Sequence, residues 1–228
     1  GKGRCNITNN TDIEGLIENT PGHGCFLYSA FYTFSNSDLI DFFNKHGLAT
    51  KVERGGRVFP VSDKASDVID TLNKYLKSKK VTLWLDSSVK KILTDNKKVT
   101  GVMLKNGKEI VCDTVVLTTG GASYPRTGST GDGYKMAKDL GHTVVPLKPS
   151  LVPLVSKEIW VKELQGLSLK NISISLLNSK GKKIYSDFGE MIFTHFGVSG
   201  PVILSASRHI LDYDYKDVKL VIDLKPAL

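Results

Sequence analysis

Residues 98–121 constrain this chain more than any other stretch. KVTGVML (98–104) and KEIVC (108–112) are β-biased runs around an Asn106-Gly107 turn, the strongest short-range hairpin signal in the sequence. TVVLTTGG (114–121) follows at once as a continuous apolar run that ends in glycine. Runs of this kind are typical of strands buried on both faces, as in parallel sheets. GDGYKMAKDLG (131–141) then reads as a helix ended by Gly141. This succession predicts an α/β chain with mixed α+β character, built partly on a parallel sheet.

The remaining elements are read from the same periodicities. Residues 1–24 are rich in Gly, Asn and Pro and are expected as loop and turn. SDLIDFFNKH (37–46) is a helix with Ser37 as N-cap, and LATKVERGGRVFP is a strand pair around Gly55-Gly56. Lys64 to Lys80 is the clearest helix, with Ala65, Val68, Ile69, Leu72, Tyr75 and Leu76 at helical spacing and Ser62 or Asp63 as cap. VTLWL (81–85), VKKIL (89–93) and VKLVIDL (218–224) are expected strands, and KNISISLLNSKGKKIYSD a hairpin over Gly181. A helix is expected from Pro201. Prolines 146, 149 and 153 mark a domain boundary near residue 150.

Composition excludes several classes. With 228 residues, 40% hydrophobic and 24% charged, the chain is long enough for a sizeable core and is not a disordered polymer. Three cysteines (Cys5, Cys25, Cys112) make no disulfide framework, which points to a reducing, cytoplasmic setting. No apolar run approaches the roughly 20 residues of a membrane span. The five histidines have no metal spacing. The net charge of +8 is spread over helix ends and turns without interleaved aromatics, so solvated faces are expected ahead of a nucleic-acid groove.

Several segments can carry chemistry. GKGRCNITNN (1–10) is dense in backbone donors, and small residues let those N–H groups approach an anion. Arg4 can add a bidentate phosphate contact, or the segment is a plain surface loop. Thr119-Gly120-Gly121 ends the apolar run where open α/β sheets bind ligands, or is a simple tight turn. His195, between aromatics, is a candidate acid or base, and Arg57 a candidate anion clamp; packing and a surface salt bridge are their ordinary roles. GSTGDG (128–133) precedes a helix and invites a phosphate-loop reading, but it fits neither a Walker loop nor GxGxxG and reads first as a turn and cap.

In order, the stretches GKGRCNITN, GRVFP (56–60), LTTGGASYPRTGSTGDGYKMAKDLGH (117–142), LKPSLVPL (147–154), LQGLSLKNI (164–172) and GEMIFTHFGVSGPVIL (189–204) resemble the bacterial HI0933-like or BaiN-like NAD(P)/FAD-dependent oxidoreductases. Some members of that family are described as aminoacetone oxidases. The resemblance covers nearly the whole chain. It implies part of an FAD-binding dinucleotide-fold domain over 1–150 and part of a largely β inserted domain, covering the substrate, over 151–228. It places Gly3, Arg4, Cys5 and Asn6 near the flavin and pyrophosphate, and Thr119, Gly120 and Gly121 beside FAD. Val89 corresponds to a backbone contact with adenine. NAD(P)H is the implied reductant, and the substrate a small molecule.

The family's first βαβ unit, with its GxGxxG, is expected ahead of Gly1, and its closing Gly-Gly-Tyr-Asn segment after the insert. The sequence therefore reads as the middle of a flavoprotein, and as an isolated chain it is expected to hold FAD weakly or not at all, because the helix N-terminus that binds pyrophosphate would be missing. A second reading stays open: a non-catalytic basic module that binds nucleic acid or protein through its positive charge.

Overall fold

A computed structural model describes residues 3–226 of the chain; Gly1 and Lys2, the first two residues of the expected anion loop, lie outside them. The chain divides into two compact units, Gly1–Met136 and Ala137–Leu228, and the proline-rich stretch from Pro146 falls inside the second.

The first unit starts with structure where turns were expected. Strand β1 (Thr8–Asn9) is followed by helix α1 (Ile13–Glu18), whose cap Asp12 accepts from Gly15 N at 2.8 Å. Turn-forming residues here serve as caps around a short apolar stripe that buries Ile17. Helix α2 (Tyr28–Thr33) buries nothing, whereas α3 (Asn36–Lys45) buries Phe43. The cap of α3 is Ser35 rather than Ser37. Asp38 stands three residues after Ser35 and closes a capping box, with Ser35 N donating to the Asp38 carboxylate at 2.7 Å.

Strands β2 (Thr50–Glu53) and β3 (Arg57–Pro60) form the expected hairpin, and β1 adds to β3. Helix α4 (Ala65–Ser78) turns Val68 inward onto Phe43 and Leu48, where Cys5 and Ile7 also pack. Ile69 and Leu72, on the same apolar stripe, stay exposed. Neither Ser62 nor Asp63 is the N-cap. That place falls to Lys64, with no side-chain hydrogen bond, because the Asp63 carboxylate is taken by Arg4 and Lys51.

Strands β4 (Val89–Asp95), β5 (Lys98–Leu104) and β6 (Glu109–Val111) make an antiparallel meander. The expected strand at 81–85 does not form; that segment is exposed, and Trp84 lies under the Lys108 ammonium at 4.6 Å. The parallel pairing expected for 114–121 is absent too: every ladder among the described residues is antiparallel. Val116 is 78% exposed, and no described strand pairs with the run. A parallel strand draws its hydrogen bonds from neighbours reached by crossovers, and here no such neighbour is described. The segment leads instead through a 3-10 turn (Pro125–Thr127) into helix α5 (Asp132–Asp139), which spans the division between the units.

In the second unit, β7 (Leu154–Val155) and helix α6 (Trp160–Glu163) precede the long hairpin of β8 (Ser168–Leu177) and β9 (Lys183–Thr194). Strand β10 (Gly197–Ser199), helix α7 (Pro201–His209) and β11 (Lys219–Asp223) complete it. The sheet order is β11-β8-β9-β10-β7. Alternate residues of β8 (Ile172, Ile174, Leu176) and of β9 (Met191, Phe193) share one buried face with Val202, Ile203 and Ala206 of α7. Gly189 permits that approach, since a Cβ there would stand 2.8 Å from Val202 Cγ1. Among the described residues no helix is long and apolar enough to cross a membrane.

Candidate functional site

The loop Gly3–Asn6 is held from several sides. Gly3 O accepts from Ala65 N at 2.7 Å, and Ile7 N donates to Val58 O at 2.8 Å. The Asn6 amide donates to Val58 O (3.1 Å) and Thr8 O (2.9 Å). Arg4 is the main anchor. Its Nη2 donates to Glu53 Oε1 at 2.5 Å and to Asp63 Oδ1 at 2.6 Å, while Nε donates to Asp63 Oδ1 at 3.0 Å. The guanidinium lies over the Phe59 ring, 4.2 Å from its centroid. Lys51 joins the network through Asp63 Oδ2 at 2.7 Å.

The network moves Arg4, Glu53 and Asp63 toward their charged forms. Hydrogen bonds from Arg4, and then its charge together with that of Lys51, hold Glu53 below the usual carboxylate range. Asp63 is lowered in the same way, first by its hydrogen bond from Lys51 and then by that from Arg4. The Arg4 pKa is raised by Glu53 and Asp63. Arg4 therefore spends Nε and Nη2 within the protein and keeps Nη1 without a described partner.

The backbone N–H groups of Arg4, Cys5 and Asn6 donate to no described group. Cys5 has φ 60, the left-handed conformation from which successive N–H groups can converge on one acceptor. A phosphate or a flavin carbonyl oxygen is chemically suited to such donors, so these residues fit an FAD.

The second loop has the same character. Among the described residues, the N–H groups of Thr119, Gly120 and Gly121 find no acceptor. Gly120 is at φ +73 and packs against Ser129; Gly121 O accepts from Gly131 N at 3.0 Å. Gly133, in the first turn of α5, sits so close to Thr119 that a Cβ would stand 2.3 Å from its Oγ1. Glycine at a helix start that packs this tightly on a preceding segment serves the same purpose in dinucleotide-binding folds.

Val89 opens β4 and pairs with Leu104. Next to Leu104, Lys105 reaches Asp132 of α5 at 4.0 Å. No hydrogen bond or ion pair among the described residues joins Gly3–Asn6 to Thr119–Gly121. Arg57 is exposed, its Nε donating to Arg54 O at 3.1 Å. His195 lies exposed in the turn between β9 and β10, edge-on to Phe196 at 4.9 Å. Sequence reasoning missed Glu53, Asp63 and Lys51. The carboxylates stand 49 and 59 residues from Arg4, and no local pattern announces such a pairing. Among the described residues no cluster of His, Cys, Asp or Glu could hold a metal ion.

The family model of the HI0933-like protein Rossmann domain matches residues 1–201. The chain is 32% identical to the 3-dehydro-bile acid delta(4,6)-reductase of Clostridium scindens, over 100% of this chain and 54% of that protein. It is also 32% identical to the ribosomal RNA dihydrouridine synthase of Escherichia coli, over 98% of this chain and 54% of the relative. The ribosomal RNA dihydrouridine synthase of Haemophilus influenzae is 29% identical over 92% of this chain and 51% of its own length. The chain thus spans about half the length of the curated relatives it matches.

Proposed function

The chain belongs to the HI0933-like family, and from that membership we propose that it works within an FAD-dependent reductase that saturates a carbon–carbon double bond conjugated to a carbonyl. The two relatives' names share that chemistry. A 3-dehydro bile acid with delta(4,6) unsaturation has its double bonds conjugated to a ketone. Making dihydrouridine saturates the uracil double bond beside a carbonyl. The single structural observation that carries the proposal is the run of N–H donors at Arg4, Cys5 and Asn6 that have no acceptor among the described residues, in the loop anchored by the Arg4 network.

When bound, reduced FAD supplies the hydride that, with one proton, saturates the double bond, and NAD(P)H restores it. The chain's own residues do the holding. The donors of residues 4–6 and 119–121 would hold the cofactor through its phosphate or carbonyl oxygens, and the backbone at Val89 would meet its adenine. Glu53 and Asp63 keep the Arg4 loop in one conformation before the cofactor arrives, which lowers the ordering cost of binding. A small-molecule substrate and a cytoplasmic setting belong to this proposal.

The test is flavin retention in the protein at the full length of its relatives. Arg4→Ala is expected to lower the flavin-to-protein ratio after gel filtration several-fold, with thermal unfolding checked in parallel. An unchanged ratio overturns the assigned role.

A further inference from the structure

The five-stranded sheet of the second unit ends on β11, which pairs with β8 and has no described strand on its outer edge. An open edge is a template for another strand, and proteins usually blunt it with short strands, proline or bulges. The opposite edge follows that rule: β7 is two residues long and comes directly after Pro153. β11 does not. It runs five residues without proline, in unbroken register from Lys219 opposite Leu177 to Asp223 opposite Ser173.

The sequence around β11 carries a symmetry that pairing with β8 does not use. Asp217-Val218-Lys219-Leu220-Val221-Ile222-Asp223-Leu224-Lys225 reads the same in hydropathy from either end and inverts in charge. Two copies laid antiparallel about Val221 therefore match at every position. Lys219 stands across from the partner's Asp223, Leu220 from the partner's Ile222, and Val221 from the partner's Val221. Just outside the strand, Val218 stands across from the partner's Leu224, and Asp217 from the partner's Lys225. Slipping the pair by two residues sets Lys219 against the partner's Lys225, or Asp217 against the partner's Asp223, so charge selects one register. Within the chain, none of these four charged side chains is in an ion pair with a described residue. Leu220 and Ile222 pack on the core of this unit yet stay partly exposed, and Val221 and Leu224 are 47% and 63% exposed.

We propose that β11 is the contact of a two-fold symmetric dimer, in which the sheets of two copies of this chain join edge to edge. A two-fold contact needs a patch complementary to itself, and residues 217–225 supply one. A ladder this short is smaller than a standard interface, so the dimer is a weak, concentration-dependent one. It needs no flavin and stands apart from the reductase proposal.

Sedimentation velocity on the protein at the full length of its relatives, across the micromolar range, tests it. The parent is expected to pass from monomer to dimer as its concentration rises. Lys219→Glu sets carboxylates face to face, and Asp223→Lys sets ammonium groups face to face, so each alone should weaken the dimer about tenfold. Both side chains are exposed, and thermal unfolding checks that each variant folds. Mixed one to one, the two variants should associate as tightly as the parent, because each then meets the opposite charge; misfolding could not produce that rescue. A monomer at every concentration, a dimer indifferent to both substitutions, or a mixture that fails to restore it overturns the proposal. None of these outcomes bears on flavin retention.

Discussion

Gly133 and Thr119 leave no room for a side chain between them: a Cβ on residue 133 would stand 2.3 Å from Thr119 Oγ1. Helix α5 is thereby seated against the segment that ends the apolar run, which fixes the direction of the Thr119–Gly121 donors. Gly133→Ala forces the helix or the loop to move. It is expected to destabilise the first unit by roughly 1–3 kcal/mol in urea unfolding. Adding Thr119→Ala should recover most of the loss. Additive costs in the double variant would contradict the contact.

The Arg4 network predicts a pH dependence with a definite sign. Glu53 and Asp63 have folded-state pKa values below their ordinary ones, held there mainly by Arg4 and Lys51. Their contribution is present above the unfolded-state pKa, about 4, and is lost as the pH falls through the lower folded value. Urea midpoints measured down that acid limb should fall more steeply for the parent than for Glu53→Gln or Asp63→Asn. Parallel curves would count against the network. Exposure and salt screening keep the effect small.

Tyr185 gives a prediction at the other end of the scale. Burial, and then its hydrogen bond to Asp187 Oδ2 at 2.9 Å, push its pKa up to about 12. The ring also stacks on His209, with centroids 4.1 Å apart. The protonated phenol is favoured in the fold, so its contribution is complete below the ordinary pKa of about 10 and is lost as the pH rises toward the folded value. Thermal stability should fall over that alkaline interval, and less so in Tyr185→Phe. A variant with the parent's alkaline slope would refute the assignment.

The sheet–helix core of the second unit should report separately. Leu176 is fully buried, and Leu176→Ala is expected to cost roughly 2–5 kcal/mol. Trp160 lies in that unit, 6.2 Å from Phe193, and Trp84 lies in the first. In a Trp84→Phe background the fluorescence transition should therefore follow the second unit alone. A transition unmoved by Leu176→Ala would contradict this core.

What the sequence disclosed follows the range of the forces involved. The Asn106-Gly107 hairpin, α4 and the β8–β9 hairpin were legible because turn chemistry and periodicity are local. The Arg4 loop was legible as a donor-rich segment, and the N–H groups of residues 4–6 have no acceptor among the described residues. Its anchors were not, because Glu53 and Asp63 meet Arg4 only through the tertiary fold. The same pairing removed Asp63 from its expected role as the cap of α4. The run at 114–121 shows the opposite limit: apolar composition marks a strand, but a ladder also needs partners, and none is described. Residues 81–85 failed in the same way.

The most direct test of the account is anaerobic single turnover in the protein at the full length of its relatives. Its flavin is reduced with NAD(P)H and then mixed, in separate runs, with a 3-oxo-4-ene steroid acid and with a uridine-containing RNA. The account predicts that one of these acceptors returns the flavin absorbance to its oxidised form, with one saturated product per flavin. A protein that holds no flavin, or whose reduced flavin is left unchanged by both conjugated acceptors, contradicts it.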